Sequence, residues 1–259
     1  MGRVDVELVA RGLAPSRSAA QRLIADGAVF AAPGTRIDRP SRQVDAHDAL
    51  WVESSDETRY VSRAGAKLHH ALRDTGIDPG GRVVLDLGMS TGGFADCLLQ
   101  AGAARVVGIE VGHGQLHPSL RDDPRVTCLE RTNLREATPE RVASSVPDVP
   151  SGGFPMAVAD LSFISLTKVL PAIDALLAPQ ATVLLLVKPQ FELSSDALDR
   201  RGVVVGDADR RRAVDSVARA CVALGWTLHG VHDSALPGGD GNREFFLHAS
   251  TPAPRATPR

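Results

Sequence analysis

Four strand ends in this 259-residue chain carry groups able to do chemistry. The apolar run Val83-Val84-Leu85 stops at Asp86, and a turn rich in glycine, Gly88-Met89-Ser90-Thr91-Gly92-Gly93, leads into a helical pattern at Phe94. Glycine lets the backbone come close to a ligand, and the first N–H groups of a helix have no partner within it. A second apolar run stops at Glu110, a third (Ala157-Val158-Ala159) at Asp160, and a fourth (Leu186-Val187) at Lys188, where Pro189 forces an extended exit. Ligands of open parallel sheets sit at the carboxyl ends of the strands, so these groups are expected to face one crevice. Lysine is scarce: of 29 basic residues only Lys67, Lys168 and Lys188 are lysines. A compositional bias explains most of that ratio. Arginine stays charged at any working pH whereas lysine can lose its proton, which singles out the lysine positions for chemistry.

The spacing restricts the ligand. Gly-x-x-x-Gly-Gly is not the dinucleotide fingerprint, no Gly-Lys-Ser/Thr follows, and Asp86 would repel a pyrophosphate. Acids ending two successive strands suit a ligand with a cationic sulfonium or amine and ribose hydroxyls, which describes S-adenosylmethionine. The plain alternatives are a Gly-rich turn capped by Asp86, a helix cap at Asp160 and an exposed strand-end charge at Lys188. Cys97, Cys128 and Cys221 are scattered, with neither metal-ligand nor disulfide-framework spacing. The stretch Met1–Glu7 holds no apolar core of a signal, and the longest apolar run, Ala181 to Val187, is far short of a bilayer span. A cytoplasmic protein with no metal and no membrane role is expected.

The elements that must position these groups read as α/β. Strands at Arg82–Leu87, Arg105–Glu110, Met156–Ala159, Thr182–Val187 and Phe245–His248 alternate with helices at Ser62–Asp74, Phe94–Ala101, Leu166–Leu177 and Asp209–Leu224, implying a parallel sheet covered on both faces. Residues 1–55 read as a separate small α+β unit. It has a first helix built on Val6, Leu8, Val9 and Leu13, a second capped by Ser16 and stopped by Gly27, and short strands near Ala28–Phe30 and Ala49–Val52. A linker at 56–61, a main domain at 62–250 and a disordered tail at 251–259 complete the division.

At this point the residues resemble a known family, the haemolysin-A-type (TlyA) ribosomal-RNA 2′-O-methyltransferases. The resemblance rests on Val61-Ser62-Arg63-Ala64-Gly65-Ala66-Lys67-Leu68, Asp86–Phe94, Glu130-Arg131-Thr132-Asn133, Asp160–Leu166, Leu186–Glu192 and Asn242-Arg243-Glu244-Phe245-Phe246, in the family's order. The first unit is similar to the RNA-binding fold of small-subunit ribosomal protein S-four through Asp5, Leu8, Arg11-Gly12, Ser16-Arg17, Ala20, Leu23-Ile24, Gly27 and Val29. The resemblance implies a Rossmann-like, FtsJ-like domain that uses S-adenosylmethionine to methylate ribosomal RNA, with cytidine ribose as acceptor and ribosomal subunits as partners. Its catalytic Lys-Asp-Lys-Glu set falls on Lys67, Asp160, Lys188 and Glu244. Lys188 would meet the ribose hydroxyl, as base or as a charged group with water taking the proton. Asp160 would orient Lys188 or face the cofactor, and Glu244 would hold Lys67 or the ribose. Asp86, Gly88, Ser90, Thr91, Gly92, Gly93, Phe94, Glu110 and Asp160 would cradle the cofactor, with Asn133 near its adenine. Met89, Ala95 and Tyr60 depart from the family pattern.

For RNA, Arg3, Arg11, Arg17 and Arg22 are the candidates. Residues 1–42 carry seven arginines against four acids, whereas the net charge of the whole chain is −2, so no global basic field exists. Phe30 and Trp51 read as core rather than stacking platforms. Rival readings are a ribosome-binding module with a vestigial cofactor fold, a membrane-active haemolysin, and transfer to a base or small molecule. The strand end Asp160-Leu161-Ser162-Phe163 lacks the Asn/Asp-Pro-Pro-Tyr form usual for base N-methylation.

Overall fold

The smaller of two units, Met1–Arg59, is built from β1 (Gly2–Arg3), α1 (Val4–Ala10), α2 (Arg17–Ala25), β2 (Val29–Ala31), β3 (Gln43–Val44) and β4 (Leu50–Val52) in a computed structural model that describes residues 2–14, 16–25, 27–31, 35–45, 47–52, 59–146 and 149–254. β1 pairs with β3 and β2 with β4, both antiparallel. Val4 and Leu8, one helical turn apart, meet Ala20 and Ile24 of α2 and Val29 and Ile37 in the core. Val6 and Val9, expected on the apolar stripe, are exposed instead, because the buried face runs through Val4 and Leu8. Ser16 caps α2, its hydroxyl accepting from the Ala19 N–H at 3.2 Å. Phe30 and Trp51 are half-buried and stack on each other across β2 and β4 at 5.7 Å.

The larger unit, Tyr60–Arg259, runs α3 (Arg63–Thr75), β5 (Val83–Leu87), α4 (Gly93–Gln100), β6 (Arg105–Ile109), α5 (Pro118–Arg121), β7 (Val126–Leu129), α6 (Pro139–Ser145), β8 (Phe154–Ala159), α7 (Leu170–Leu176), β9 (Leu177–Val187), α8 (Pro189–Glu192), α9 (Asp207–Ala223), β10 (Thr227–Asp233) and β11 (Phe245–Ser250). Its sheet has the order β10-β11-β9-β8-β5-β6-β7. Side chains alternate across the strands and so create two cores. Leu85, Leu87, Val107, Leu185 and Leu247 face Ile173 of α7 and Val217 of α9. Val84, Val106, Val158, Leu186 and Phe246 face Leu68 of α3 and Phe94 and Leu98 of α4.

The expected architecture holds, with local corrections. The sheet is mixed rather than parallel: β11 runs antiparallel to both β9 and β10. The helix expected over Leu166–Leu177 is a 3-10 turn, Leu166–Lys168, followed by α7, because Pro171 lacks an N–H and fits only a first turn. Tyr60 and Val61, read as linker, are part of the larger unit. Tyr60 is buried, and the Val61 N–H donates to Asp96 Oδ2 at 2.8 Å. The tail begins ordered. Thr251 is buried, its hydroxyl accepting from the Ala181 N–H at 2.8 Å and donating to the Ala178 carbonyl at 2.7 Å. Residues 53–55 at the end of the expected small unit, 56–58 of the expected linker and 255–259 of the expected tail lie outside the described residues.

Candidate active site

β5 carries a buried carboxylate one residue before its end. Asp86 is fully buried, and neither oxygen has a well-aligned hydrogen bond. Burial first, then the charge of Asp160, pushes its carboxyl up to about 8; Glu110 adds to this and the Ala95 N–H opposes it. Gly88 follows with φ +84, and a Cβ there would lie 2.6 Å from the Asp160 carbonyl oxygen, so only glycine lets the exits of β5 and β8 touch. Glu110, also buried, accepts from the Ser90 N–H at 2.9 Å and the Gly112 N–H at 2.7 Å, which ties the Gly-rich turn to the exit of β6. Ser90 Oγ donates to Gln115 Oε1 at 3.0 Å.

These exits border a cavity of about 520 Å³. Its polar rim includes Gly88, Ser90, Glu110, Asn133 and Asp160, and its apolar wall includes Ile109, Leu134, Leu161, Ile164 and Val169. A second cavity of about 220 Å³ shares Gly88, Ser90, Asp160 and Ser162 with the first and adds Thr91, Gly93, Phe94 and Lys188. Two wells with a common wall thus meet at the end of β8. Asn133 also caps the 3-10 turn Leu134–Glu136, its Oδ1 accepting from the Arg135 N–H at 3.1 Å.

Both lysine–carboxylate pairs form. Lys188 Nζ lies 2.6 Å from Asp160 Oδ1 and donates to Ser162 Oγ at 2.9 Å. Lys67 Nζ donates to Glu244 Oε2 at 2.6 Å, and this pair is more deeply enclosed, with side chains 10% and 2% exposed. Lys67 projects from α3, which packs tightly on α4: a Cβ at Gly93 would lie 3.0 Å from the Gly65 nitrogen. Glu244 sits against Gly238, where a Cβ would lie 2.4 Å from its carboxylate. Lys67 and Glu244 line neither cavity, whereas Asp160 lines both.

The structure therefore gathers Gly88, Ser90, Thr91, Gly93, Phe94, Glu110, Asn133, Asp160 and Lys188 at the two cavities, whereas Asp86 is fully buried and lines neither. Gly92 lies behind the turn, facing Leu116 and Leu120. Sequence reading assigned no role to Ser162, Gln115 or Phe163. Phe163 lines the large cavity, is 91% exposed, holds φ +64 and packs on Phe191 at 5.2 Å; an exposed aromatic beside an acidic strand end was the available signal. The Met89 and Ala95 departures are buried core positions.

The arginines in the small unit divide. Arg3 Nε at 3.0 Å and Arg17 Nε at 2.9 Å donate to the fully buried Asp5, which also accepts from Gln21 at 2.8 Å. The Arg3 guanidinium, opposed by burial and aided by Gln21 and Arg17, holds the Asp5 carboxyl well below the usual range. Arg11 donates to Glu7 at 3.2 Å and to the backbone carbonyls of Asp45 and Asp48. These three serve the fold of the unit, while Arg22 is exposed. Among the described residues no cluster of three or more His, Cys, Asp or Glu could hold a metal, and no helix is long and apolar enough to cross a membrane.

The FtsJ-like methyltransferase family model matches residues 60–251, and the S4 domain model matches residues 2–50. The chain is 46% identical to a Mycobacterium tuberculosis protein named 16S/23S rRNA (cytidine-2′-O)-methyltransferase TlyA, covering 98% of this chain and 91% of that protein. A solved Streptococcus thermophilus structure, described as a hemolysin candidate, is 34% identical with a TM-score of 0.73, covering 98% of this chain and 90% of that one. A Mesorhizobium loti S-adenosylmethionine-dependent methyltransferase shares the fold at 16% identity, with a TM-score of 0.53 over 72% of this chain and 99% of that one. With Lys–carboxylate pairs at its strand ends and matches across both units, the chain belongs to the FtsJ-like methyltransferase family, in the TlyA type that carries an S4 domain.

Proposed function

We propose that the protein transfers a methyl group from S-adenosylmethionine to the 2′-hydroxyl of a cytidine ribose in ribosomal RNA, acting in the cytoplasm, with residues 1–55 holding RNA and 62–250 doing the chemistry. One observation carries the reading: Asp160 stands on the wall common to two cavities, one fit for a cofactor, and its partner Lys188 lines the other.

The residues fit that cofactor. Burial, with Asp160 and Glu110 near it, holds Asp86 in its protonated form, and a cation bound beside it favours the ionised form. The same trio would repel a polyphosphate. The apolar wall of the large cavity suits a flat adenine, with Asn133 at its edge, and Glu110 and Ser90 suit hydroxyls. Bound there, S-adenosylmethionine supplies an electrophilic methyl on a sulfonium.

Lys188, held on Asp160 and Ser162, is fixed as a charged donor that grips the ribose 2′-oxygen in the smaller cavity. Positioning of this kind supplies several kcal/mol of a methyl-transfer barrier, at about 1.4 kcal/mol per tenfold in rate. The hydroxyl proton passes to water, since an ammonium on a carboxylate is poorly placed to accept it. Lys67 and Glu244 hold α3 against the strand carrying Phe245, and so shape the wall behind the acceptor. Phe163, exposed on the rim, offers a face on which a nucleobase can stack.

Transfer of labelled methyl from S-adenosylmethionine to purified ribosomal subunits tests the reading, with wild type compared to Lys188→Ala. An alkali-resistant linkage made only by wild type supports 2′-O-methylation. A bound cofactor without incorporation points to another acceptor, and failure to bind cofactor points to a ribosome-binding module.

A further inference from the structure

Three successive contacts join the exit of β8 to the exit of β9. Lys188 meets Asp160 and Ser162, Phe191 packs on Phe163 at 5.2 Å, and Glu192 closes the series on Ser165 and Leu166. Glu192 Oε2 accepts from Ser165 Oγ at 2.6 Å, and its Oε1 accepts from the Leu166 N–H at 2.8 Å. Both carboxylate oxygens are therefore committed to the loop. Ser165 is equally committed, because its Oγ also accepts from the Thr167 N–H at 3.2 Å and caps the 3-10 turn Leu166–Lys168. Glu192 is half-buried, and burial raises its carboxyl above the ordinary range despite these two donors and nearby Lys168. A charge kept in such a place needs the bonds it makes.

The loop so held is under strain. Phe163 has φ +64 with a bulky side chain in solvent, a backbone state that persists only where the surroundings impose it. Asp160, Ser162 and Phe163 all lie between the β8 end and the Glu192 clamp. Release of the clamp removes the far anchor of a segment whose near anchor carries the reacting groups.

We infer that Glu192 is a positioning residue that locks residues 160–166 onto α8 and thereby sets the Asp160–Lys188 pair. The inference rests on the proposed methyl transfer, and it deepens that reading by naming what fixes the geometry. A displacement of about 1 Å at a reacting group lowers rate by roughly 10²-fold, and because Leu161 and Ile164 of the same segment line the large cavity, cofactor affinity falls with it.

The test compares Glu192→Ala, Glu192→Gln and Ser165→Ala with wild type by methyl transfer to ribosomal subunits, S-adenosylmethionine titration calorimetry, and amide hydrogen exchange. Glu192→Ala is expected to lose about 10²-fold in kcat and to weaken cofactor binding, with faster exchange confined to 161–167. Glutamine can still accept from the Leu166 N–H and pair with the Ser165 hydroxyl, so Glu192→Gln should recover most of the rate and the protection. Unchanged kcat and unchanged exchange at Leu166 in Glu192→Ala would overturn the inference, as would a loss that glutamine fails to rescue. If the alanine variant does not fold, Ser165→Ala decides: slower turnover with faster Leu166 exchange supports the clamp, and wild-type values for both overturn it. A wild type that binds no cofactor or methylates nothing defeats the proposed function instead, and the exchange readout still settles whether Glu192 holds the loop.

Discussion

Two lysines in this chain sit 2.6 Å from a carboxylate, yet they occupy different worlds. Lys67 and Glu244 are 177 residues apart, nearly sealed from solvent, and line neither cavity of the site. Lys188 and Asp160 come from the ends of neighbouring parallel strands; Asp160 lines both cavities, Lys188 lines the smaller one, and Ser162 gives the lysine a hydroxyl partner. The first pair has the makings of a brace and the second of a tool. Similar distances therefore say little about role; what each pair borders says more.

Removing one partner of the sealed pair should be the most costly change. Lys67→Ala leaves Glu244 charged and unpaired in the interior, and about 3–5 kcal/mol of stability should disappear, read as a fall in the denaturant midpoint. The double variant Lys67→Met with Glu244→Gln should recover most of that stability; a double variant as unstable as the single would show that the pair is not a self-contained brace.

Lys188→Ala should act the other way round. Stability should fall by less than in Lys67→Ala, because the carboxylate left behind, Asp160, is 18% exposed against 2% for Glu244, while methyl transfer should fall about 10²–10⁴-fold in single-turnover assays. Lys188→Arg sharpens the point. Arginine keeps the charge and cannot act as a base, so retention of at least a tenth of the rate supports the role of charged donor, and a loss equal to alanine's supports proton abstraction.

The Asp160–Lys188 pair should also be distinguishable by pH. Asp86 has its carboxyl raised to about 8, from an ordinary 3.8, by burial and by Asp160 and Glu110. A raised folded-state value means that the folded protein favours the protonated acid. The ligand-free protein should therefore lose stability as pH rises from about 4 to about 8, and Asp86→Asn should flatten that slope in melting experiments. Cofactor binding should strengthen over the same window with release of a proton, measurable by calorimetry in buffers of different ionisation heat. Asp160→Asn should move the upper end of the window below 8, and Glu244→Gln should leave it in place. The smallest effect belongs to Ser162→Ala, which removes the hydroxyl contact on Lys188 and should cost about 1 kcal/mol, or roughly fivefold in rate.

Much of this was legible from residue order, for identifiable reasons. Buried strands such as Val83–Leu87 leave continuous apolar runs, and the acid or lysine ending each run sits where the crevice must be. β7 is half-buried and β10 largely exposed, so neither leaves a clear apolar signature; both went unread, and with β10 went the antiparallel edge. The Glu244–Lys67 contact was one of two options from the resemblance, because no spacing rule reaches across 177 positions. Ser162, Gln115 and the Glu192 bonds depend on loop geometry that has no period. In the small unit, counting arginines gave no hint that Arg3 and Arg17 are held by Asp5.

β11 is the last strand in the chain, yet it lies inside the sheet between β9 and β10, and Glu244 stands at its entrance. During synthesis from the amino terminus, Lys67 emerges long before its counter-charge does, and β9 keeps an open edge until the final strand slots in. The brace behind the acceptor site is consequently among the last features to be completed. A chain truncated before residue 244 retains the Gly-rich turn and the Asp160–Lys188 sequence but leaves Lys67 without its counter-charge, so the brace is withheld until translation of the sheet is finished.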